Sequence, residues 1–374
     1  MKRPPTSKLV AWGLAVAALA FVAWVVPVRD RCWDPHAPAT TKVAVTRVAP
    51  AGEQPGACVL HLATGEVRIS AAECASLQCE PGVTSALGSA RPWPVLALFV
   101  LYVLGSLAWA ARWRALLELA DVELPLKEVW RLSVEAQAGG ILLPGGLGGD
   151  ALRITSVLSK RTRGGTRVPA TLVVASVLLD RFIGLGAIAA LAAGLGFAFG
   201  GVQAGALAYA LAGIPVALVL GLFVMRLAPL QRVDWLVQGR IGQLVTPVLD
   251  YLRAPRALRS ITVAVGLSVL TSFVQLSVIR GLVYALGQTP GSEKWIFVGT
   301  AMAFIVAAVP ALPGGWGTAD AAYVFFFGLA GLATGTALAV CLMYRLFWYL
   351  LGIAGAVLHL TRPRPPARPS PPLS

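Results

Sequence analysis

The sequence predicts an all-α polytopic membrane protein: about six full spans, two re-entrant Pro-Gly-Gly hairpins in an inverted repeat, and a small cysteine-containing ectodomain. Three observations predict it. The 374 residues are 57% hydrophobic and 13% charged, more apolar sequence than a soluble core absorbs. Apolar runs of about 20 residues recur, the length that crosses a bilayer core as a helix. Two runs are broken, at Leu143-Pro144-Gly145-Gly146-Leu147-Gly148-Gly149-Asp150-Ala151-Leu152-Arg153 and at Leu312-Pro313-Gly314-Gly315-Trp316-Gly317-Thr318-Ala319-Asp320. Proline removes a backbone donor and glycine weakens a helix, so no continuous span runs through either stretch. In lipid, such a break persists only where protein or a water-filled cavity covers it.

The net charge of +14 does not indicate nucleic acid. No dense basic run or recognition motif occurs, and the basic residues sit between apolar segments.

Taken in order, Lys2, Arg3 and Lys8 precede an apolar run over residues 9–28. It reads as a membrane anchor. A cleaved signal peptide shares the pattern, although this run exceeds a usual signal core. Residues 29–91 form the longest polar segment and hold Cys32, Cys58, Cys74 and Cys79. Alternating runs at 42–48 and 59–69, the second around Thr64-Gly65, predict β structure. An even cysteine count outside the cytoplasm favours two disulfides, with three possible connectivities. A zinc site is the alternative, but only Cys74 and Cys79 are close in sequence and His61 has no partner. Cys341, inside a span, reads as a small packing residue.

Residues 92–111 return to the inside and end at Arg112-Trp113-Arg114, with Trp93 and Trp113 suited to the two interfaces. Residues 115–130 read as a short surface helix. The arms of the first hairpin, 133–143 and 151–158, are too short to cross at about 1.5 Å per residue. Lys127, Arg131, Lys160, Arg161, Arg163 and Arg167 bracket them and put both ends on the cytoplasmic side. Residues 168–200 are apolar but interrupted by Asp180-Arg181, with 182–200 crossing outward and 206–225 crossing back. A cytoplasmic segment spans 226–259, and 261–286 crosses outward to a polar loop at 288–294. The second hairpin enters from outside with arms 295–311 and 321–332. Residues 336–360 cross inward with Tyr344-Arg345 at their centre, and the Pro-rich tail 361–374 is expected to be disordered.

This topology places 21 Lys/Arg against 8 Asp/Glu inside and 7 against 7 outside, as the positive-inside rule requires. Both termini are then cytoplasmic. The domains are an anchor (1–28), an extracytoplasmic insert (29–91), a transmembrane domain (92–360) and a tail (361–374).

Two units emerge: a span, a Pro-Gly-Gly hairpin, and a span carrying an arginine. From Gly148 to Arg181 is 33 residues and from Gly317 to Arg345 is 28, and an acidic residue, Asp150 or Asp320, follows each proline by six or seven positions. The hairpins enter from opposite sides, as in inverted repeats that give alternating access to a midplane site. A broken hairpin presents backbone amides and a helix N-terminus, which favour an anion such as phosphate. Arg153, Arg181, Arg280 and Arg345 are the cations near the interior, with Asp150, Asp180 and Asp320 as partners. Each has a plainer reading. Asp180-Arg181 fits a structural ion pair, Arg280 fits snorkelling to the surface, and Asp150 and Asp320 fit helix caps at Ala151 and Ala321. No enzyme signature or ATPase loop occurs, so no catalytic residue, cofactor or metal is expected.

The first Pro-Gly-Gly motif resembles the flippase-like family related to the transmembrane domain of lysylphosphatidylglycerol synthases. The resemblance covers residues 91–360. Its points are Arg112-Trp113-Arg114, Pro144 to Arg153, Asp180-Arg181, Pro313-Gly314-Gly315-Trp316-Gly317 and Tyr344-Arg345. It implies a multi-pass protein of the bacterial cytoplasmic (inner) membrane that moves a polar-headgroup lipid, phospholipid or polyprenyl-phosphate-linked, between leaflets. The implied substrate-binding residues are Pro144, Gly145, Gly146, Gly148, Asp150, Arg153, Asp180, Arg181, Pro313, Gly314, Gly315, Gly317, Asp320, Tyr344 and Arg345. Asp320 stands where the family often has Glu, and the ectodomain is not a family feature. Only a short tail follows Leu360 where the full synthases carry an aminoacyl-transfer domain, which argues against synthase activity. The expectation is a lipid transporter, not an enzyme, with a protein or glycan partner for the ectodomain left open. The alternatives are a membrane enzyme or accessory subunit acting on lipid-linked sugars, or a structural or sensory protein working through the ectodomain.

Overall fold

The computed structural model describes residues 22–33, 43–47, 58–62, 65–70, 77–142, 146–160, 164–200, 256–308 and 315–361, with isolated positions at 20, 72, 73, 162, 213, 217, 221 and 253. Pro144, Gly145, Pro313, Gly314, Cys74 and the side chain of Cys58 lie outside the described residues. So do most of the predicted spans 9–28 and 206–225, most of 226–259, and the tail from 362.

The insert is an antiparallel sheet of β1 (Asp30–Trp33), β2 (Val43–Arg47), β3 (Cys58–Leu62), β4 (Gly65–Ile69) and β5 (Gln78–Glu80), in the order β4-β3-β2-β1-β5. The predicted alternating runs become β2, β3 and β4. Cys32 and Cys79 face each other across β1 and β5 and form a disulfide. This is one of the expected pairs. The sheet is tied to the helical body: Asp30 Oδ1 accepts from the Gly82 amide at 2.8 Å, and the Val83 amide donates to the Pro27 carbonyl at 3.1 Å.

The body comprises α1 (Val83–Gly88), α2 (Pro92–Leu117), α3 (Leu126–Leu142), α4 (Leu147–Leu158), α5 (Ala170–Gly200), α6 (Ala257–Ala285), α7 (Glu293–Ala308), α8 (Thr318–Leu329) and α9 (Thr334–Leu360). Among the described residues, four helices are long and apolar enough to cross a membrane: α2 with its short 3₁₀ extension, α5, α6 and α9. The chain is a multi-pass helical membrane protein.

Several bounds differ from the sequence reading, for local reasons. Helix α2 continues through Arg112-Trp113-Arg114, and the expected helix over 115–130 is absent. A 3₁₀ turn and Asp121 in the left-handed region (φ 57°) end α2 instead, and α3 starts after Pro125. Trp113, expected at an interface, is completely buried. Asp180-Arg181 does not interrupt α5, because both charges are paired from neighbouring helices. Gly148 and Gly149 lie inside α4 rather than in the break. A Cβ on Gly149 would sit 2.6 Å from the Ala136 carbonyl, so glycine lets α4 lie against α3.

The two units pack reciprocally. Helices α2 and α6 lie along each other, with Gly105 against Val274 and Gly281 against Leu98. In the first hairpin α3 packs on α9, where Gly355 meets the Val134 carbonyl; in the second, α7 packs on α5, where Gly196 meets Val298. Each hairpin therefore lies against the final helix of the other unit. Small residues at these crossings let the backbones approach closely, as packing inside lipid favours.

Candidate functional site

One glycine of each Pro-Gly-Gly motif adopts the same left-handed backbone conformation. Gly146 and Gly315, the second glycine of each, have φ of 73° and 68°. That region suits glycine, and at Gly146 a Cβ would also stand 2.8 Å from Arg181 Nη2. The motifs then diverge. Helix α4 begins at once at Leu147, whereas Gly317 (φ 78°) delays α8 to Thr318.

Each turn delivers its acidic residue to the first turn of a helix, where the backbone dipoles favour a carboxylate. Asp150 Oδ2 accepts from Arg181 Nε at 2.6 Å. Asp320 Oδ1 accepts from Arg345 Nη2 at 2.7 Å, while its Oδ2 accepts from the Gly317 amide at 2.8 Å. The acid and the downstream arginine that match in sequence are thus bonded in both units.

Residues 180 and 181 are about 100° apart around α5, so they serve different networks. Asp180, 1% exposed, binds Arg112 Nε at 2.6 Å and Arg153 Nη1 at 3.1 Å. Arg112 also donates to Ser268 Oγ of α6 at 3.3 Å. The Arg153 guanidinium lies 4.0 Å over the Trp109 ring and 4.7 Å over Trp113, and that of Arg345 lies 3.9 Å over Trp316. An indole face stabilises a cation that has lost water.

These groups surround one cavity of about 400 Å³. Gly146, Gly149, Asp150 and Arg153 line it from the first hairpin, Gly315 and Ala319 from the second. Asp180, Arg181, Tyr344 and Arg345 come from α5 and α9, and Tyr102, Trp109, Phe304 and Trp348 supply much of its apolar wall. Two guanidinium nitrogens of lining residues, Arg153 Nη2 and Arg345 Nη1, are buried without a hydrogen-bond partner among the described residues.

Most described site candidates therefore converge. Gly148, inside α4, and Gly317, in the second turn, do not line the cavity, and Asp320, 2% exposed, stands behind Arg345 and positions it. Neither hairpin aspartate caps a helix at the next residue: α4 and α8 begin three and two residues before them. Arg280 does not converge. It pairs with Glu293 through two bonds of 2.9 and 3.0 Å, with its side chain 43% exposed. Cys341 does more than pack, since its thiol donates to Asp320 Oδ1 at 3.0 Å. Arg112, Trp109 and Gln137 were missed as site residues. Trp109-x-x-Arg112-Trp113 carried the available signal, with Arg112 three and Trp113 four residues after Trp109 along one helix.

Fold and site define a multi-pass membrane protein with a charged cavity between two Pro-Gly-Gly hairpins. Residues 82–355 match the family model for the lysylphosphatidylglycerol synthase TM region, and the chain belongs to that family. Neither the curated proteins nor the solved structures give a match.

Proposed function

We propose that this protein is a lipid flippase of the bacterial cytoplasmic membrane, moving a lipid with a phosphate-bearing headgroup between leaflets without chemical turnover. One observation carries the reading. The cavity joins both hairpins and holds two buried guanidinium N–H groups, Arg153 Nη2 and Arg345 Nη1, without partners among the described residues. A buried donor left unsatisfied costs about 1–3 kcal/mol, so these atoms favour an acceptor entering the cavity. A phosphate oxygen matches a guanidinium edge, and the aromatic and aliphatic wall suits the glycerol or prenyl portion beside it.

In this reading α3–α4 and α7–α8 are re-entrant hairpins of opposite orientation, and the headgroup passes between them while its chains stay in lipid. The reciprocal packing of each hairpin on the other unit's last helix supports an inverted repeat, since rocking one unit would open one side of the cavity as the other closes. The same topology puts the β-sheet insert outside the cytoplasm, consistent with its disulfide.

The test is leaflet exchange in liposomes containing purified protein, read with labelled phospholipids and labelled polyprenyl phosphates. Wild type is expected to exchange at least one of them, and Asp150→Ala/Arg345→Ala to lose that exchange while remaining folded. Exchange of no lipid by folded protein in both orientations would overturn the transport reading. Wild-type exchange by the variant would overturn the site.

A further inference from the structure

A second basic cleft lies at the foot of α2 and α6 and shares no lining residue with the central cavity. It has a volume of about 580 Å³ and is bordered by Arg114, Arg256 and Arg259 with Glu118 and Glu123, over an apolar floor that includes Ala115, Val263 and Leu267. Arg114 is occupied by Glu118 at 3.5 Å, an i, i+4 pair on α2. Glu123 has a partner of its own. Arg256 and Arg259 are exposed, one helical turn apart on one face, and form no ion pair among the described residues. The uncompensated charge of the cleft is theirs.

The surface above the cleft is apolar. Leu258, Val263 and Leu270 on α6 are 62%, 45% and 50% exposed, and Phe273 continues the strip at 54%. A helix foot with two exposed guanidiniums under an exposed hydrocarbon face matches a molecule with an anionic head and apolar chains. The geometry points to a binding site for one anionic phospholipid, its phosphate on Arg256 and Arg259 and its chains along α6. Basic pockets between membrane helices on the cytoplasmic side recognise anionic headgroups in this way. Farther along the same helix, Ser268 accepts from Arg112 of the central network.

The test is native mass spectrometry of full-length protein in detergent with equimolar phosphatidylglycerol and phosphatidylcholine. Wild type is expected to retain phosphatidylglycerol in preference to phosphatidylcholine. Arg256→Gln/Arg259→Gln should lose about tenfold or more of the phosphatidylglycerol affinity at one site, from about 1 kcal/mol per arginine. Arg280→Gln, at an exposed pair that lines neither cavity, should leave that occupancy unchanged. Both arginines are exposed, so the double variant is expected to fold, and its elution volume on size exclusion checks this. Unchanged phosphatidylglycerol retention by the double variant would overturn the proposal, as would equal loss of both lipids. Full displacement by inorganic phosphate would make this a phosphate site and overturn the lipid assignment.

Discussion

The two hairpins carry the same acid–arginine pair in different surroundings. Asp150–Arg181 faces the cavity with side chains 19% and 30% exposed, whereas Asp320–Arg345 is nearly sealed at 2% and 6%. Asp320 is held by three donors, from Gly317, Cys341 and Arg345. The first unit places its most buried carboxylate elsewhere, at Asp180 between Arg112 and Arg153. The repeated pair is thus nearly sealed in the second unit, where Asp320 positions Arg345, and open to the cavity in the first. Burial sets the weight of each, because a solvated pair is worth little and a buried carboxylate that loses its charge strands its partner.

Asp180→Asn is the strongest way to sharpen that contrast. It leaves two buried guanidiniums without a counter-charge, and losing one partner of a buried pair costs about 3–5 kcal/mol. The largest fall in apparent melting temperature in detergent is therefore expected here. Asp320→Asn strands one guanidinium and should cost somewhat less, about 3 kcal/mol. Asp150→Asn should cost about 1 kcal/mol or less yet remove lipid exchange, because it releases Arg181 at the cavity wall beside the headgroup site. Equal destabilisation by Asp150→Asn and Asp320→Asn would break the comparison. Arg280→Ala, which removes an exposed pair with Glu293, should cost about 0–1 kcal/mol and leave exchange intact.

Much of the site was legible because its residues are costly where they stand. Arginine and aspartate inside apolar runs are expensive in a membrane, and that cost alone singled out Asp180, Arg181, Asp320 and Arg345. What was not legible is which of them pair. Asp180 and Arg181 are adjacent and opposite in charge, so the sequence invites pairing them, yet they serve separate partners. Arg112 looked like the end of a span because a basic cluster commonly marks a membrane interface. Only its contact with Asp180, 68 residues away, turns it inward. Arg114, two residues on, stays out on the surface.

The sequence by itself determined the membrane character, the four described apolar helices and the positions of the two breaks, since these follow from composition, proline and glycine acting locally. It also determined the matched acid and arginine of each unit, because spacing along the chain survives folding. Tertiary structure alone decided which carboxylate serves which guanidinium, that Gly149 exists for close approach rather than for a turn, and that both hairpins meet in one cavity. Those outcomes depend on the rotational phase and crossing of helices remote in sequence, and no local propensity encodes them.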